Sequence, residues 1–398
     1  MKDTFNQEGC CTDNGDFVDS DEEGDVEDES EPLERYYRGI YYPVCIGEVL
    51  AGRYRIEHKL GWGGYSTVWM AHDSQCHRDV ALKILIPGQK GEYEYQIQNE
   101  ILQTVGDTSH LVIHQGSFLL PGHGDNQYRV LVLPLLSPSL GYRVKELPVA
   151  TRVSAAKQLL IALASLHDVG LVHRDLNEGA LMWDLNPLLA GYDTATKYQM
   201  LGRPKKVSLG DSLWKRGELV QQIATPLNLV GSKIYLGDFG LTIKDGTTVR
   251  IKEQSPYHFC APERLHGADP SLASDMWSYM CLFAVLYLGN GVFYGNGGRS
   301  TAISWVEQLG AMPGQWKGKF WFPGEVDDAW YERTTTPDVE RDLAARIARM
   351  RPDTNQAERD LVLSIMLKVF CYLPERRITA RELLQDPSFG SLLNIYQC

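Results

Sequence analysis

Two short loops whose aspartates are 63 residues apart constrain this chain more than any other feature. VHRDLNEGAL, at residues 172–181, places His173, Arg174 and Asp175 in a loop, and LGDFG, at residues 236–240, places Asp238, Phe239 and Gly240 after an apolar strand. Carboxylates in two such loops can divide two tasks, one orienting a hydroxyl and the other holding a divalent cation against phosphate oxygens. Either tripeptide alone carries little weight. A chain that uses both must fold so that distant segments meet, and the rest of the sequence has to supply the other parts.

Upstream, residues 54–60 read as a strand, GWGGYST follows at 61–67, and a second strand begins at Val68. Glycines at Gly61, Gly63 and Gly64 let backbone N–H groups approach phosphate oxygens without side-chain obstruction. VALKIL at residues 80–85 is an apolar strand interrupted by Lys83, thirteen residues beyond the loop. A lone lysine in such a run is either a solvated face residue or, behind a glycine hairpin at this distance, the cation that grips the α and β phosphates. Leu60, Val68 and Ala81 are apolar positions beside it, expected to line the nucleotide site. Residues 96–105 carry Ile97, Ile101 and Val105 on one helical face, and Glu100 on that helix is the expected partner of Lys83. The run YRVLVLPLL at 128–136 is a buried strand passing into a connection, where the Pro134 carbonyl and the Leu136 N–H suit an adenine edge. An ordinary edge strand ended by Pro134 fits the same residues.

Residues 150–169 have the apolar spacing of a buried helix that delivers the chain to His173. Asp175 is then the expected base or orienter of the acceptor hydroxyl. Arg174 is placed to bind an anion of the segment that runs from Asp238 to APE at 261–263, with Glu253 as one such anion. Thr247, Thr248, Ser255 and Tyr257 are candidate phosphorylation positions in that segment. Phe239 is a packing residue, Asp275 is expected to brace the backbone of the 172–181 loop, and Arg377 to pair with Glu263. Residues 182–232 form a long insertion with a basic stretch RPKKVS, and a surface loop without a specific role is its default reading.

Of 398 residues, 43% are hydrophobic, enough to bury a large core. The formal charge of -12 is local in origin: residues 1–34 hold fourteen Asp or Glu against one Lys, and residues 35–398 hold 37 acids and 38 bases. So acidic a segment, poor in apolar residues, reads as a disordered tail, with Ser20 and Ser30 as acceptors for an acid-directed modification. Residues 35–52, rich in tyrosine, read as an ordered lead-in. The eight cysteines lack metal-ligand spacing. The longest apolar run, near residues 276–288, is too short and too broken by polar residues to span a bilayer, so membrane association is not expected. A body of nearly cancelling charge offers no nucleic-acid surface.

These motifs, in this order, resemble a eukaryotic protein kinase over residues 36–390. The opening YYRGIYYPVCIGEVLAGRYRIEHKLGWGGYSTVWMAHD is similar to the kinases of serine/arginine-rich splicing factors, particularly their fungal branch, and so is the long insertion. The resemblance implies an α+β, two-lobed fold: a five-stranded amino-terminal lobe over 35–136 and a helical lobe over 137–398 that carries the insertion. It implies ATP and Mg²⁺ as cofactors and transfer to Ser or Thr of a protein substrate, arginine/serine-rich if the likeness extends that far. The scattered cysteines and the apolar pattern point to an intracellular protein of cytoplasm or nucleus, expected to be a monomer. Lys83, Asp175 and Asn177 take the catalytic positions and Asp238 the metal position. The chain departs from the pattern at several positions: Ser66 takes the place of the third glycine, Arg174 that of a threonine usual in the splicing-factor kinases, and Phe259 and Cys260 that of their YR; Asn177 stands where a lysine is usual, and Ala180 where a metal-binding asparagine is usual. A nucleotide-binding pseudokinase or scaffold is the alternative that the last two departures leave open.

Overall fold

The computed structural model describes residues 14–19, 21–185, 191–210, 212–254, 256–321, 328–332 and 339–398. The chain divides into two compact units. The first comprises Met1–Tyr95, His114–Pro138 and Leu185–Val230; the second comprises Gln96–Ile113, Ser139–Asp184 and Gly231–Cys398. A β-rich first unit and a helical second unit make the fold α+β. The insertion therefore belongs with the sheet unit, and not with the helical residues that flank it in sequence.

The first unit is built on a six-stranded antiparallel sheet in the order Val49–Leu50, Tyr54–Gly63, Ser66–Asp73, Arg78–Leu85, Gln127–Pro134, Gly116–Pro121. β-branched and aromatic side chains suit a pleated, half-buried surface. Trp69, Leu82, Ile84 and Val130 are buried in its core together with Tyr42, Val44 and Ile46 of the lead-in. The sixth strand, beyond the expected five, is the two-residue Val49–Leu50, which the lead-in lays against Tyr54 and Arg55. The glycine segment is not a loop between strands ending at 60 and starting at 68. Pairing continues through it, Gly61 opposite Val68, Trp62 opposite Thr67 and Gly63 opposite Ser66, so the turn shrinks to Gly64 and Tyr65.

The expectation of a disordered tail fails for the described residues from 14 onward. Asp16–Phe17 pairs parallel with Lys205–Ser208, which pairs antiparallel with Glu218–Val220. Helix Glu23–Asp28 buries Val26 in a small core with Tyr36, Tyr41, Leu209 and Leu219. The acids find partners that a composition count cannot see. Asp16 meets Arg203 at 2.7 Å, Glu22 meets Lys205 at 3.4 Å, and the buried Glu31 accepts from both the Lys59 ammonium and the Tyr36 hydroxyl. Ser30, offered above as an acceptor, is buried and donates to the Val220 carbonyl; Ser20 lies outside the described residues.

The insertion is likewise more than a surface loop. Its helix Thr194–Leu201 is capped by Asp193, whose side chain accepts from Thr196 N at 2.8 Å. Lys197 on that helix is buried against Glu57 at 2.8 Å and Asp79 at 2.6 Å, and Tyr198 donates to the Glu57 carbonyl. Two acids of the sheet and one lysine of the insertion thus require each other.

In the second unit the helices Val149–His167 and Leu272–Leu288 cross in the core. Tyr279 donates to the Ala156 carbonyl at 3.1 Å and Arg152 to the Leu286 carbonyl at 2.7 Å. Val149–His167 is long and apolar enough to cross a membrane by composition, yet its Leu side chains, Val153 and most of its alanines are buried within the unit. Two small sheets, Leu171–Val172 with Ile243–Lys244 and Leu181–Leu185 with Val230–Leu236, hold the two aspartate loops.

Candidate active site

The expected site residues divide between the two units, and each set is built by its own elements. In the first unit, sheet register places Val68 opposite Lys83, Ala81 opposite Leu133 and Val80 opposite Pro134. Leu60, Ala81 and Leu136 are buried apolar positions nearby in the same sheet and its exit. A Cβ at Gly63 or Gly64 would meet nothing within 4 Å, so the hairpin leaves its backbone facing open space.

Lys83 does not use Glu100. Its ammonium bonds Glu94 Oε1 at 2.7 Å with both side chains nearly buried, whereas Glu100 pairs with Lys244 at 2.9 Å near the surface of the second unit. The reason is the length of the helix, which runs Gln89–Thr104 and starts seven residues earlier than the apolar spacing implied. That earlier start puts Glu94 on the helix. Six residues separate the two acids, about 9 Å along the axis and on different faces, so one lysine has access to one of them. The helix formers around Glu92 and Glu94 were the available sequence signal, masked by Gly91.

In the second unit the loop around Asp175 is held by main-chain bonds to one carboxylate. Asp275 accepts from His173 N at 2.6 Å and from Arg174 N at 2.9 Å, and lies 3.2 Å from His167 Nε2. The buried His173 ring reaches the Gly237 carbonyl at 2.9 Å and packs edge-on against Phe239 at 5.6 Å, which ties the 172–181 loop to the 236–240 loop. Arg174 (φ 74°) and Asp238 (φ 62°) both lie in the left-handed region, which non-glycine residues occupy at a cost that the surroundings must offset. A Cβ at the adjacent Gly237 would crowd Met182 and Val112 at 3.1 to 3.2 Å, so a larger residue there needs those side chains to give way.

Burial pushes the Asp175 carboxyl above its ordinary range and the neighbouring charge of Asp238 adds to this, while the His173 imidazole pulls the other way. The two carboxylates are therefore close enough to feel each other. Asn177 does not reach away from the loop as a lysine there would. Its amide donates to Asp175 Oδ1 at 3.2 Å and to the Asp175 carbonyl at 3.1 Å, and its oxygen accepts from Gly179 N at 2.8 Å. Ala180 is buried, its side chain offers no oxygen, and its carbonyl accepts from Gly237 N at 2.9 Å.

The segment after Asp238 is organised by a residue that the sequence reading passed over. Arg264 donates to the carbonyls of Lys252, Glu253 and Arg174 and to Gln254 Oε1, between 2.6 and 3.1 Å, while Gln254 donates to the Leu176 carbonyl at 2.8 Å. Arg174 itself donates to the Ile251 carbonyl at 2.7 Å. The ion pair of Arg377 with Glu263 is present and bidentate, at 2.8 and 3.0 Å, with both side chains buried. Ser255 lies outside the described residues.

A hydroxyl-orienting carboxylate and a second carboxylate suited to a hard divalent cation are the working parts of a phosphoryl-transfer enzyme. The chain belongs to the protein kinase domain family, whose match covers residues 54–389. Among its relatives, it is 26% identical over 409 residues to the serine/threonine-protein kinase SRPK of Physarum polycephalum, covering 94% of this chain and 93% of that protein. A serine/threonine protein kinase of Aspergillus fumigatus is 26% identical over 398 residues, 91% of each chain. SRSF protein kinase 3 of Mus musculus is 34% identical over 167 residues, 38% of this chain and 29% of that one. The protein is a kinase, and the protein kinase domain implies use of a nucleoside triphosphate with a divalent metal.

Proposed function

We propose that the chain transfers the γ-phosphate of ATP, with Mg²⁺, to serine or threonine in arginine/serine-rich protein substrates, inside the cell in cytoplasm or nucleus. The observation that carries the reading is the Asp175 carboxylate, pinned by Asn177 and set beside Asp238 on a loop braced by Asp275. The names of the relatives support the acceptor and the substrate class.

Asp175 orients the acceptor hydroxyl and takes up its proton, a task helped by the upward shift of its carboxyl toward working pH. Asn177 keeps that carboxylate in one rotamer. Lys83, held by Glu94, presents its charge to phosphate oxygens, and the bare glycine hairpin offers N–H groups to the same ligand. Asp238 would hold the cation, which when bound neutralises charge on the transferring phosphoryl group. Ala180 supplies no side-chain ligand, so the chain offers the metal fewer oxygens than its family usually does.

The test is incorporation of labelled phosphate from ATP, with Mg²⁺ or Mn²⁺, into an arginine/serine-rich peptide and into one with its arginines replaced. Transfer into the first peptide, lost in Asp238→Ala and raised in Ala180→Asn, is expected. Tight nucleotide binding without transfer under either metal would leave a nucleotide-binding scaffold instead.

A further inference from the structure

The backbone carbonyls of the glycine hairpin, and of the strand leading into it, are held by groups from outside the sheet. The Tyr41 hydroxyl donates to the Gly63 carbonyl at 2.7 Å, and Arg35 Nη2 donates to the Gly64 carbonyl at 2.5 Å. The Arg35 guanidinium also stacks over the Tyr41 ring, 4.5 Å from its centroid, so the two donors are braced as a pair. Four residues before Gly63, the Ile223 N–H of the insertion donates to the Lys59 carbonyl at 3.0 Å. The adjoining Gln222 side chain lies 3.6 Å from where a Cβ on Gly61 would be. Register with the neighbouring strand slips between Lys59 and Gly61, so this edge is irregular where the outside donors engage it.

A two-residue turn at Gly64 and Tyr65, entered through Gly63, has little of its own to hold it, since Gly63 and Gly64 have no side chains to pack and glycine carries the largest backbone entropy of any residue. The contacts sit where that entropy is largest. Tyr41 is buried with Tyr36, Val26, Leu209 and Leu219, and this small core is built from the lead-in, the insertion and Val26 of the acidic segment. Its rigidity passes to the hairpin through one hydroxyl and one guanidinium.

We propose that Arg35 and Tyr41 are positioning residues for nucleotide binding, holding the hairpin amides in the arrangement that meets the phosphates, with the lead-in and the insertion as the frame. They touch neither nucleotide nor acceptor. Their effect is on phosphate recognition, because an untethered hairpin must be ordered by the ligand at the expense of affinity. The inference rests on the kinase reading for the identity of the ligand.

The test measures equilibrium binding of ATP and of adenosine to the full chain, with kinetics in parallel, for Arg35→Lys, Arg35→Ala and Tyr41→Phe. Tyr41→Phe keeps the buried ring and removes only the donor. Expected is a rise of about tenfold in the Kd and KM for ATP, with adenosine affinity unchanged, smallest in Arg35→Lys, and with thermal unfolding at the wild-type temperature for Tyr41→Phe. Equal weakening of ATP and adenosine, or unchanged ATP affinity in all three variants, overturns the proposal while leaving the kinase reading intact. Failure of the unsubstituted protein to bind ATP would instead count against that reading.

Discussion

At the scale of single residues, the site turns on which acid serves which base. Lys83 and Glu94 are both nearly buried, and a buried pair is worth most through what it costs to break, since the remaining charge stays desolvated. Glu100 and Lys244 form a partly exposed pair of the kind that contributes little. Glu94→Gln should therefore lower kcat/KM for ATP by about tenfold or more, and Glu100→Gln by less than about threefold. Steady-state kinetics on the two variants would decide, and the reverse ranking would mean that Glu100 is the working partner. Asn177 teaches a related lesson: a residue that looks like the loss of a lysine is, in place, a clamp on the carboxylate beside it.

At the scale of elements, the strand Tyr54–Gly63 carries a titration signal. His58 on this strand is buried, and desolvation pushes its imidazole down to about 4, well below the 6.5 of a free histidine. Above pH 6.5 both folded and unfolded chains hold it neutral and nothing is lost. As pH falls from 6.5 toward 4 the unfolded chain takes up a proton that the folded strand refuses, so stability falls, by about 3 kcal/mol across the window. Urea unfolding at pH 7 and pH 5 should show a loss larger by about 2 kcal/mol in the parent protein than in His58→Gln. An equal pH dependence in the two proteins would place the imidazole in contact with water. The segment from 252 to 254 shows the same principle in another form, since Arg264 satisfies the carbonyls of Lys252 and Glu253, and that of Arg174 in the 172–181 loop, which free loops would leave to solvent.

At the scale of the whole molecule, the acidic amino-terminal segment and the insertion fold with the sheet as one unit. Glu31 and Lys59 are both fully buried, burial lowers the Lys59 ammonium, and burial followed by the Glu31 charge raises the Tyr36 phenol well above its ordinary value. Glu31→Gln would strand the Lys59 charge in the interior and should cost roughly 3–5 kcal/mol. The double replacement Glu31→Leu with Lys59→Met should recover most of that loss, as an apolar pair of similar volume. Chemical denaturation of the three proteins measures both effects, and a Glu31→Gln protein of parental stability would show that the segment is peripheral.

The Asp275 brace and the Glu263 and Arg377 couple were legible in the sequence and are present in the fold, and Lys83 lies on the strand, and Asp175 and Asp238 in the loops, that the sequence assigned to them. The spacing of the apolar residues also marked the helix into His173, and a continuous apolar run marked the strand of Lys83, which is buried on both faces. What the tertiary structure alone decided is pairing at a distance. Glu94 over Glu100, Glu31 with Lys59 across 28 residues, and Asp16 with Arg203 across 187 follow from which surfaces meet. A charge count sees so acidic a segment as a reason for disorder, and the fold overturns it for the described residues because bases arrive from far along the chain, Arg203 and Lys205 from the insertion and Lys59 from the sheet, where no local pattern records them.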